Sequence, residues 1–193
     1  MSKIELLNRL KQICLSCGNC PLRQSRTNLV FGEGSPDTKI MFIGEGPGRT
    51  EDQTGRPFVG RSGKLLRGMI QAIGMGENDF YIANIVKDRP PNNRPPEPEE
   101  IEQCVKFLRK QIEIIQPKLL VLLGKTAVRG LLPSVSGNSM ESLRISSKNI
   151  GFLQYNNVGA FVTYHPSAIL RNPLRKPEYK EDFMFIKGFF NGS

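Results

Sequence analysis

Apolar residues occur along the chain in short blocks and in helically spaced rows. Four compact apolar blocks predict buried strands, at residues 39–43, 80–86, 118–123 and 160–164. Rows spaced by three and four residues predict helices, at residues 4–13, 62–73, 98–115, 126–132 and 178–190. Residues 144–155 are polar and ambiguous, and we interpret them as a hairpin. Strands that alternate with helices predict an α/β fold of three layers, with a central four-stranded parallel sheet between two layers of helices.

Length and apolar content suit one domain over residues 1–193. A chain of 193 residues, 38% of them hydrophobic, buries a sizeable core without disulfides. Its longest apolar run, residues 119–123, is far shorter than the ~20 residues that cross a membrane. The charged N-terminus lacks the ~7–15-residue apolar stretch of a signal peptide. We therefore expect a cytoplasmic protein with no membrane partner.

Charge is unevenly distributed along the chain. The 27 basic and 18 acidic residues give a net charge of +9. Residues 53–76 hold four cations and no acid, and residues 142–177 hold five cations and no acid. Such segregation is typical of a phosphate-binding face, so we expect nucleic acid as the partner.

Distinctive residues lie at or after the ends of three predicted strands. Gly44-Glu45-Gly46-Pro47-Gly48 follows the first strand, Asn84 lies in the second, and His165-Pro166-Ser167 follows the fourth. Ligands of parallel α/β sheets bind beyond the carboxyl ends of the strands, where these segments must meet. The glycine-rich loop matches neither the Walker loop nor the dinucleotide fingerprint. One site is therefore expected at this sheet edge, and it includes His165, the only histidine of the chain.

The sequence around these loops resembles the family 4, or iron–sulfur, uracil-DNA glycosylases. The first matching motif runs from Gly44 through Pro57-Phe58-Val59-Gly60 into the next helix. Further motifs match along roughly residues 12–190: Cys17-x-x-Cys20-Pro-Leu, Tyr81-Ile82-Ala83-Asn84, Arg89-Pro90-Pro91, Lys125-Thr126-Ala127 and His165-Pro166-Ser167-Ala168. The resemblance implies the uracil-DNA glycosylase fold. It also implies a monofunctional enzyme of base excision repair, which hydrolyses the N-glycosidic bond of uracil in DNA and leaves an abasic site.

Three side chains have roles that follow from this reaction. Cleavage leaves negative charge on the departing base, which must first leave the base stack. The resemblance implies that Phe58 stacks on the flipped base and that His165 stabilises the charge at uracil O2, an effect typically worth ~10²-fold or more in rate. Asn84 would read the base edge, because one amide donates to O4 and accepts from N3–H. Cytosine presents the reverse pattern, and each mispaired group costs ~1–3 kcal/mol.

Two carboxylates and several smaller groups complete the predicted site. The resemblance places Glu45 in the motif that positions the attacking water. Glu51 has two alternative roles, to bar the C5 methyl group of thymine or to order water. The other predicted substrate-binding residues are Gly44, Gly46 and Asn93, and those predicted to bind DNA are Ser167, Leu170 and Arg171. Leu170 and Arg171 would enter the duplex where the base has left, as an apolar wedge beside a phosphate-binding cation.

The four cysteines depart from the family pattern at one metal ligand. Their spacing in a cytosolic protein indicates metal binding rather than disulfides. The resemblance implies a [4Fe–4S] cluster on Cys17, Cys20 and Cys104, but Asp88 stands where the family has its other cysteine. Asp88 or the additional Cys14 is the fourth ligand, or the site holds a three-iron cluster, another metal such as zinc, or nothing. The cluster would tie an N-terminal segment, about residues 1–35, to the rest of the domain.

The same residues bear on other functions and partners. The alternative function is a non-catalytic iron–sulfur DNA-binding module of the same fold, which predicts loss of the pocket residues that this chain retains. A relative that traps uracil-DNA covalently carries an extra histidine, and this chain has one histidine only. The expected partner is uracil-containing DNA, single- or double-stranded. We expect a monomer, with a sliding clamp as a further contact.

Overall fold

Six strands form one mixed sheet in the computed structural model, which describes residues 1–149 and 153–192. The strands are β1 (Glu33–Gly34), β2 (Ile40–Gly44), β3 (Phe80–Asn84), β4 (Leu119–Leu123), β5 (Gln154–Tyr155) and β6 (Val158–Thr163). Their order across the sheet is β1-β3-β2-β4-β6-β5. The four central strands run parallel, whereas β1 and β5 pair antiparallel at the two edges.

The expected four-stranded parallel sheet therefore corresponds only to the four central strands of the observed sheet. Within the described residues, β1 and β5 make the sheet six-stranded and mixed. Each of these edge strands is two residues long, too short to show an alternating pattern in sequence. The four central strands overlap the four predicted apolar blocks.

Eight helices cover the sheet in this part of the chain. They are α1 (Lys3–Ser16), α2 (Arg49–Thr54), α3 (Arg61–Ala72), α4 (Pro98–Ile115), α5 (Lys125–Leu131), α6 (Met140–Ser147), α7 (Pro166–Arg171) and α8 (Lys176–Gly192). The five predicted helices correspond to α1, α3, α4, α5 and α8. The helices that the pattern missed, α2, α6 and α7, have six to eight residues each, which leaves little room for a helical period.

The hairpin expected at residues 144–155 is wrong at its start, where α6 continues to Ser147. Ser139 caps this helix, because its hydroxyl accepts the Ser142 amide at 3.1 Å. Its inward face is partly polar: the Ser147 hydroxyl accepts the Val162 amide at 2.9 Å. Residues 150–152 of the predicted hairpin lie outside the described residues. β5 follows them and pairs with β6.

Side chains of each central strand alternate between two cores. Met41 and Ile43 face a core shared with α1, α4, α5 and α6. Ile40 and Phe42 face a second core shared with α3, α7 and α8. The three-layer α/β/α arrangement is therefore confirmed.

Direct contacts attach the N-terminal segment to this framework. α1 packs along α4. Asp52 of α2 is buried and accepts the amide and hydroxyl of Thr27 at 2.8 and 2.9 Å. The Val30 amide donates to the Lys87 carbonyl at 3.0 Å. Separately, none of the helices described above is long and apolar enough to cross a bilayer.

Candidate active site

A cleft lies at the carboxyl ends of β2 and β3, beside the segment that follows β6. Its volume is about 370 Å³, within the ~300–1,000 Å³ range of ligand pockets. The structure brings seven predicted site residues to its walls: Glu45, Gly46, Glu51, Phe58, Asn84, Asn93 and His165. Ser167, Leu170 and Arg171 belong to α7, outside the cleft lining. The sheet edge thus unites loops that are far apart in sequence.

Asn84 ends β3 at the wall of the cleft. Its side chain is buried, and its Oδ1 has no hydrogen-bond partner. Gly44 makes room for it, since a Cβ on Gly44 would lie 2.5 Å from Asn84 Oδ1 and 2.3 Å from Phe58 Cζ. An unpaired buried acceptor costs ~1–3 kcal/mol, so its presence in a cleft needs a reason. The site presents an oxygen that a ligand N–H would satisfy.

Phe58 is buried beside the cleft in a left-handed backbone conformation, with φ at 53°. Arg67 Nε donates to the Phe58 carbonyl at 3.0 Å. Glu51 Oε1 accepts the amides of Val59 and Gly60 at 2.9 and 2.7 Å. Non-glycine residues rarely adopt positive φ, and surrounding contacts must hold them there. Glu51, which precedes the loop in sequence, and Arg67, which follows it, make these contacts. The two alternative roles of Glu51 in the cleft stay predictions.

Gly63 allows α3 to pass against the Phe58 backbone. A Cβ on Gly63 would lie 2.0 Å from the Phe58 carbonyl carbon. Gly63→Ala is therefore expected to lower the free energy of unfolding by ~1–3 kcal/mol, the usual cost of overpacking, as measured by urea denaturation.

Gly68→Ala is the matched control in the same helix, because a Cβ there meets nothing within 4 Å. This control should raise the free energy of unfolding by ~0.5–1 kcal/mol through helix propensity. Equal changes in the two variants would contradict the proposed packing of Phe58 on α3.

His165 precedes α7, and Ser167 determines which ring nitrogen carries the proton. The Ser167 amide donates to Nδ1 at 3.2 Å, and the Ser167 hydroxyl lies 2.8 Å from the same nitrogen. Because Nδ1 accepts, the neutral ring carries its proton on Nε2 and offers a donor there. Burial, and then the positive charge of Arg171, lower the pKa of His165 to about 4, against an opposing effect of Glu51. The ring is therefore neutral near pH 7.

Glu45 is held in the cleft wall by Thr126, a residue to which its sequence motif assigns no role. The Thr126 hydroxyl donates to Glu45 Oε2 in a short hydrogen bond. Thr126 lies in the first turn of α5, directly after β4 and at the same sheet edge as the cleft. The available signal was the position of Gly124-Lys125-Thr126 after an apolar strand.

Asn93 reaches the cleft from the loop after β3. Its Oδ1 accepts Arg89 Nε at 2.7 Å. Asn92 and Asn93 have φ values of 55° and 56°, a region that asparagine enters more readily than most residues. The loop therefore presents an asparagine at the cleft rim in a defined geometry.

Some of the cations that the sequence predicts on a phosphate-binding face form salt bridges with acidic side chains. Four cations of the two acid-free segments pair with acids from elsewhere in the chain: Arg56 and Arg67 with Glu33, and Arg144 and Lys148 with Asp182. Other residues of these segments stay exposed: Arg61, Lys64, Leu170 and Arg171. The charge count alone therefore overstates how cationic the surface of these two segments is.

The four cysteines lie on the face of the sheet covered by α1 and α4. Cys14 and Cys104 are buried in that core, and Cys17 and Cys20 pack against it. Among the described residues, no three His, Cys, Asp or Glu side chains form a group that could hold one metal ion. A single zinc ion needs sulfurs ~2.3 Å from one centre, whereas a cluster spaces its thiolates over several irons. A sulfur-rich donor set of this kind fits an iron–sulfur cluster.

Known proteins are similar to this chain along most of its length. Residues 31–185 match the model of the Uracil DNA glycosylase superfamily. The chain is 42% identical to the Type-4 uracil-DNA glycosylase of Sulfurisphaera tokodaii over 186 residues, which cover 95% of this chain and 84% of that protein. It is 46% identical to the Thermotoga maritima enzyme of the same name over 168 residues, 87% of this chain and 85% of that protein. The Archaeoglobus fulgidus enzyme of that name is 39% identical over 184 residues, 95% and 92% of the two chains. The chain belongs to the Type-4 uracil-DNA glycosylases, within the uracil-DNA glycosylase superfamily.

Proposed function

We propose that this protein hydrolyses the N-glycosidic bond of uracil in DNA and leaves an abasic site for base excision repair. The unpaired Oδ1 of Asn84 carries the proposal, because uracil N3–H is the donor that it lacks. The cleft around it holds an aromatic ring, a neutral histidine and a carboxylate. The relatives named above are glycosylases of this specificity by name.

Base recognition follows from the two ends of the Asn84 amide. Oδ1 accepts uracil N3–H, and Nδ2 donates to O4. With cytosine, both groups of the amide would face a group of their own kind, at ~1–3 kcal/mol for each unsatisfied group. The Phe58 ring provides a flat apolar surface for the base. The contacts of Glu51 and Arg67 with its loop fix that surface before DNA binds.

His165 acts on the departing base. As the C1′–N1 bond breaks, its electron pair passes to uracil and charge accumulates at O2. The Nε2–H of neutral His165 donates to this oxygen, and the hydrogen bond strengthens as charge develops. Ser167 keeps the ring in the tautomer that this step needs.

Glu45 acts on the opposite reactant, the water. Thr126 holds one carboxylate oxygen of Glu45, which orients the group in the cleft wall. The carboxylate binds the attacking water and orients it. The oxygen of this water then forms the new bond to C1′. The water proton leaves through Glu45.

We also infer that Cys17, Cys20 and Cys104 hold a [4Fe–4S] cluster with one further ligand. When bound, such a cluster supplies a structural cross-link and no chemistry at the glycosidic bond. It would join the N-terminal segment of about residues 1–35 to α4, in addition to the direct contacts of that segment. Residues 1–193 would then act as one uracil-DNA glycosylase domain.

The remaining proposals concern DNA and other partners. Ser167, Leu170 and Arg171 follow His165 in chain order, and Leu170 and Arg171 are exposed on α7. This placement supports entry of Leu170 into the duplex beside the flipped uracil. Uracil in single- or double-stranded DNA, a monomeric state, a sliding-clamp contact and a cytoplasmic location stay predictions.

Excision from a labelled oligonucleotide with one central uracil tests this function. Strand scission after alkaline treatment is expected with uracil, and none with matched thymine or cytosine oligonucleotides. Scission before alkaline treatment would contradict a monofunctional enzyme. Binding to DNA without scission of any oligonucleotide would instead favour the alternative, a non-catalytic iron–sulfur DNA-binding module.

A further inference from the structure

Asp88 is already engaged by a cation at the place where the family has a cysteine. Arg26 NH1 lies 3.2 and 3.5 Å from the two carboxylate oxygens of Asp88. Both side chains are nearly buried, with 11% and 10% of their surfaces exposed. Breaking a pair of this kind leaves an uncompensated charge away from water, which is strongly unfavourable. Ligation of iron by Asp88 would have to compete with Arg26.

The same arginine ties Asp88 to the end of α1. Arg26 NH2 donates to the Leu15 carbonyl at 2.7 Å, one residue beyond Cys14. The pair therefore fastens the loop after β3 to the last turn of α1. In this arrangement both carboxylate oxygens of Asp88 face Arg26.

Cys14 is placed for ligation in that last turn. Its side chain is 4% exposed and lies in the same core as Cys104. The Cys17 amide donates to the Cys14 carbonyl at 3.3 Å, so the chain turns directly from one cysteine to the next. Cys17 and Cys20 pack against the core that holds Cys14 and Cys104, so all four cysteines lie on one face of the sheet.

Lys87 is a buried cation beside these sulfurs and needs a negatively charged partner. Lys87 is fully buried, and its Nζ donates only to neutral groups, the Asn84 carbonyl at 2.9 Å and Gln111 Oε1 at 2.7 Å. Within the described part of the chain, residues 1–149 and 153–192, Lys87 takes part in no salt bridge. The backbone amide of Lys87 donates to the Cys104 sulfur at 3.2 Å, which places this residue beside the cysteine group. Buried charges are normally paired, and two metal-bound thiolates would supply the missing partners.

We propose that Cys14 is the fourth thiolate of the cluster, with Asp88 held off the metal by Arg26. This inference rests on the proposed cluster at Cys17, Cys20 and Cys104. Cys14 binds one iron as a thiolate, and its proton passes to solvent. The thiolate charges of Cys14 and Cys104 then face the ammonium group of Lys87.

Iron and acid-labile sulfide per chain, with the visible absorption spectrum, test the proposal on full-length protein purified without air. C14S is expected to lose the cluster to the level of C104S, the control for loss of a ligand. D88N, whose amide oxygen still accepts from Arg26 but which lacks a carboxylate to bind iron, is expected to keep iron, sulfide and spectrum. The double variant C14S/D88C should recover the cluster, because it restores a thiolate at the family position. This recovery would show that C14S loses iron through a missing ligand and not through misfolding.

Three outcomes would overturn the proposal. Retention of the cluster in C14S would show that Cys14 is not a ligand. Loss in D88N with retention in C14S would assign the fourth position to Asp88. Absence of iron from the wild-type protein would contradict the proposed cluster. A parallel uracil excision assay on the same sample would show whether the proposed glycosylase activity is also absent or is present without a cluster.

Discussion

Replacing His165 with alanine is expected to slow uracil excision by ~10²–10³-fold, the usual effect of losing one donor to developing negative charge. The substitution removes the Nε2–H that faces the departing base and leaves Asn84 and Phe58 in place. Affinity for DNA that contains an abasic site should stay near that of the wild type. Single-turnover excision under saturating enzyme measures the chemical step separately from product release.

His165 also caps α7, so a second variant must separate structure from chemistry. The His165 side chain accepts the Ser167 amide at the start of this helix. Asparagine caps helices well but lacks an imidazole, so His165→Asn should restore stability and remain as slow as His165→Ala. A His165→Asn variant with wild-type excision would show that only the cap matters.

The pH profile of the wild-type enzyme gives an independent reading of the His165 prediction. Since the pKa of His165 is lowered to about 4, the ring stays neutral as the pH falls from 8 to 5. Protonation would place an N–H on Nδ1, against the Ser167 amide that already donates there. The contribution of His165 to the rate should therefore hold through this range and decline only as the pH approaches 4. A contribution that grows on acidification from pH 7 would indicate that the charged ring is the active form.

The order of strands and helices could be predicted because each central element has a strong local pattern. α4 has the predicted bounds, since Pro98 and two acids open it and an apolar stripe runs to Ile115. The edge strands could not be predicted, because Glu33–Gly34 and Gln154–Tyr155 owe their state to pairing with neighbouring strands. α6 was missed because its inward face includes Arg144 and Ser147, polar residues whose partners come from elsewhere in the chain.

The residues that line the cleft were predictable, but the residues that hold them in place were not. Glu45, Phe58, Asn84 and His165 lie in recognisable motifs at strand ends. Their supports come from distant positions, such as the Thr126 hydroxyl on Glu45 and Arg67 on the Phe58 carbonyl. Thr126 had a weak signal in its place after an apolar strand, but nothing in the sequence pairs it with Glu45, and nothing marks Arg67. Charge counts have the same weakness. They cannot tell a cation that faces solvent from one that pairs with a distant acid.

Asn84→Ala is expected to lower kcat/KM for uracil excision by ~10–100-fold or more, because uracil N3–H and O4 both lose a partner worth ~1–3 kcal/mol. The stability of the folded protein should not fall together with this activity. The substitution removes a buried oxygen that has no partner in the free protein, so the free energy of unfolding should stay unchanged or rise. Loss of activity with a gain in stability is typical of a residue kept for its ligand.

Asn84→Asp separates the two hydrogen bonds of the amide. The carboxylate still accepts N3–H but offers no donor to O4 and repels its lone pairs, so excision should again fall by at least ~10-fold. Urea denaturation and affinity for abasic DNA, measured beside kcat/KM, distinguish a misfolded protein from one that no longer reads the base. If both variants excise uracil at the wild-type rate, Asn84 does not recognise uracil, and the unpaired oxygen that supports the proposed function has another explanation.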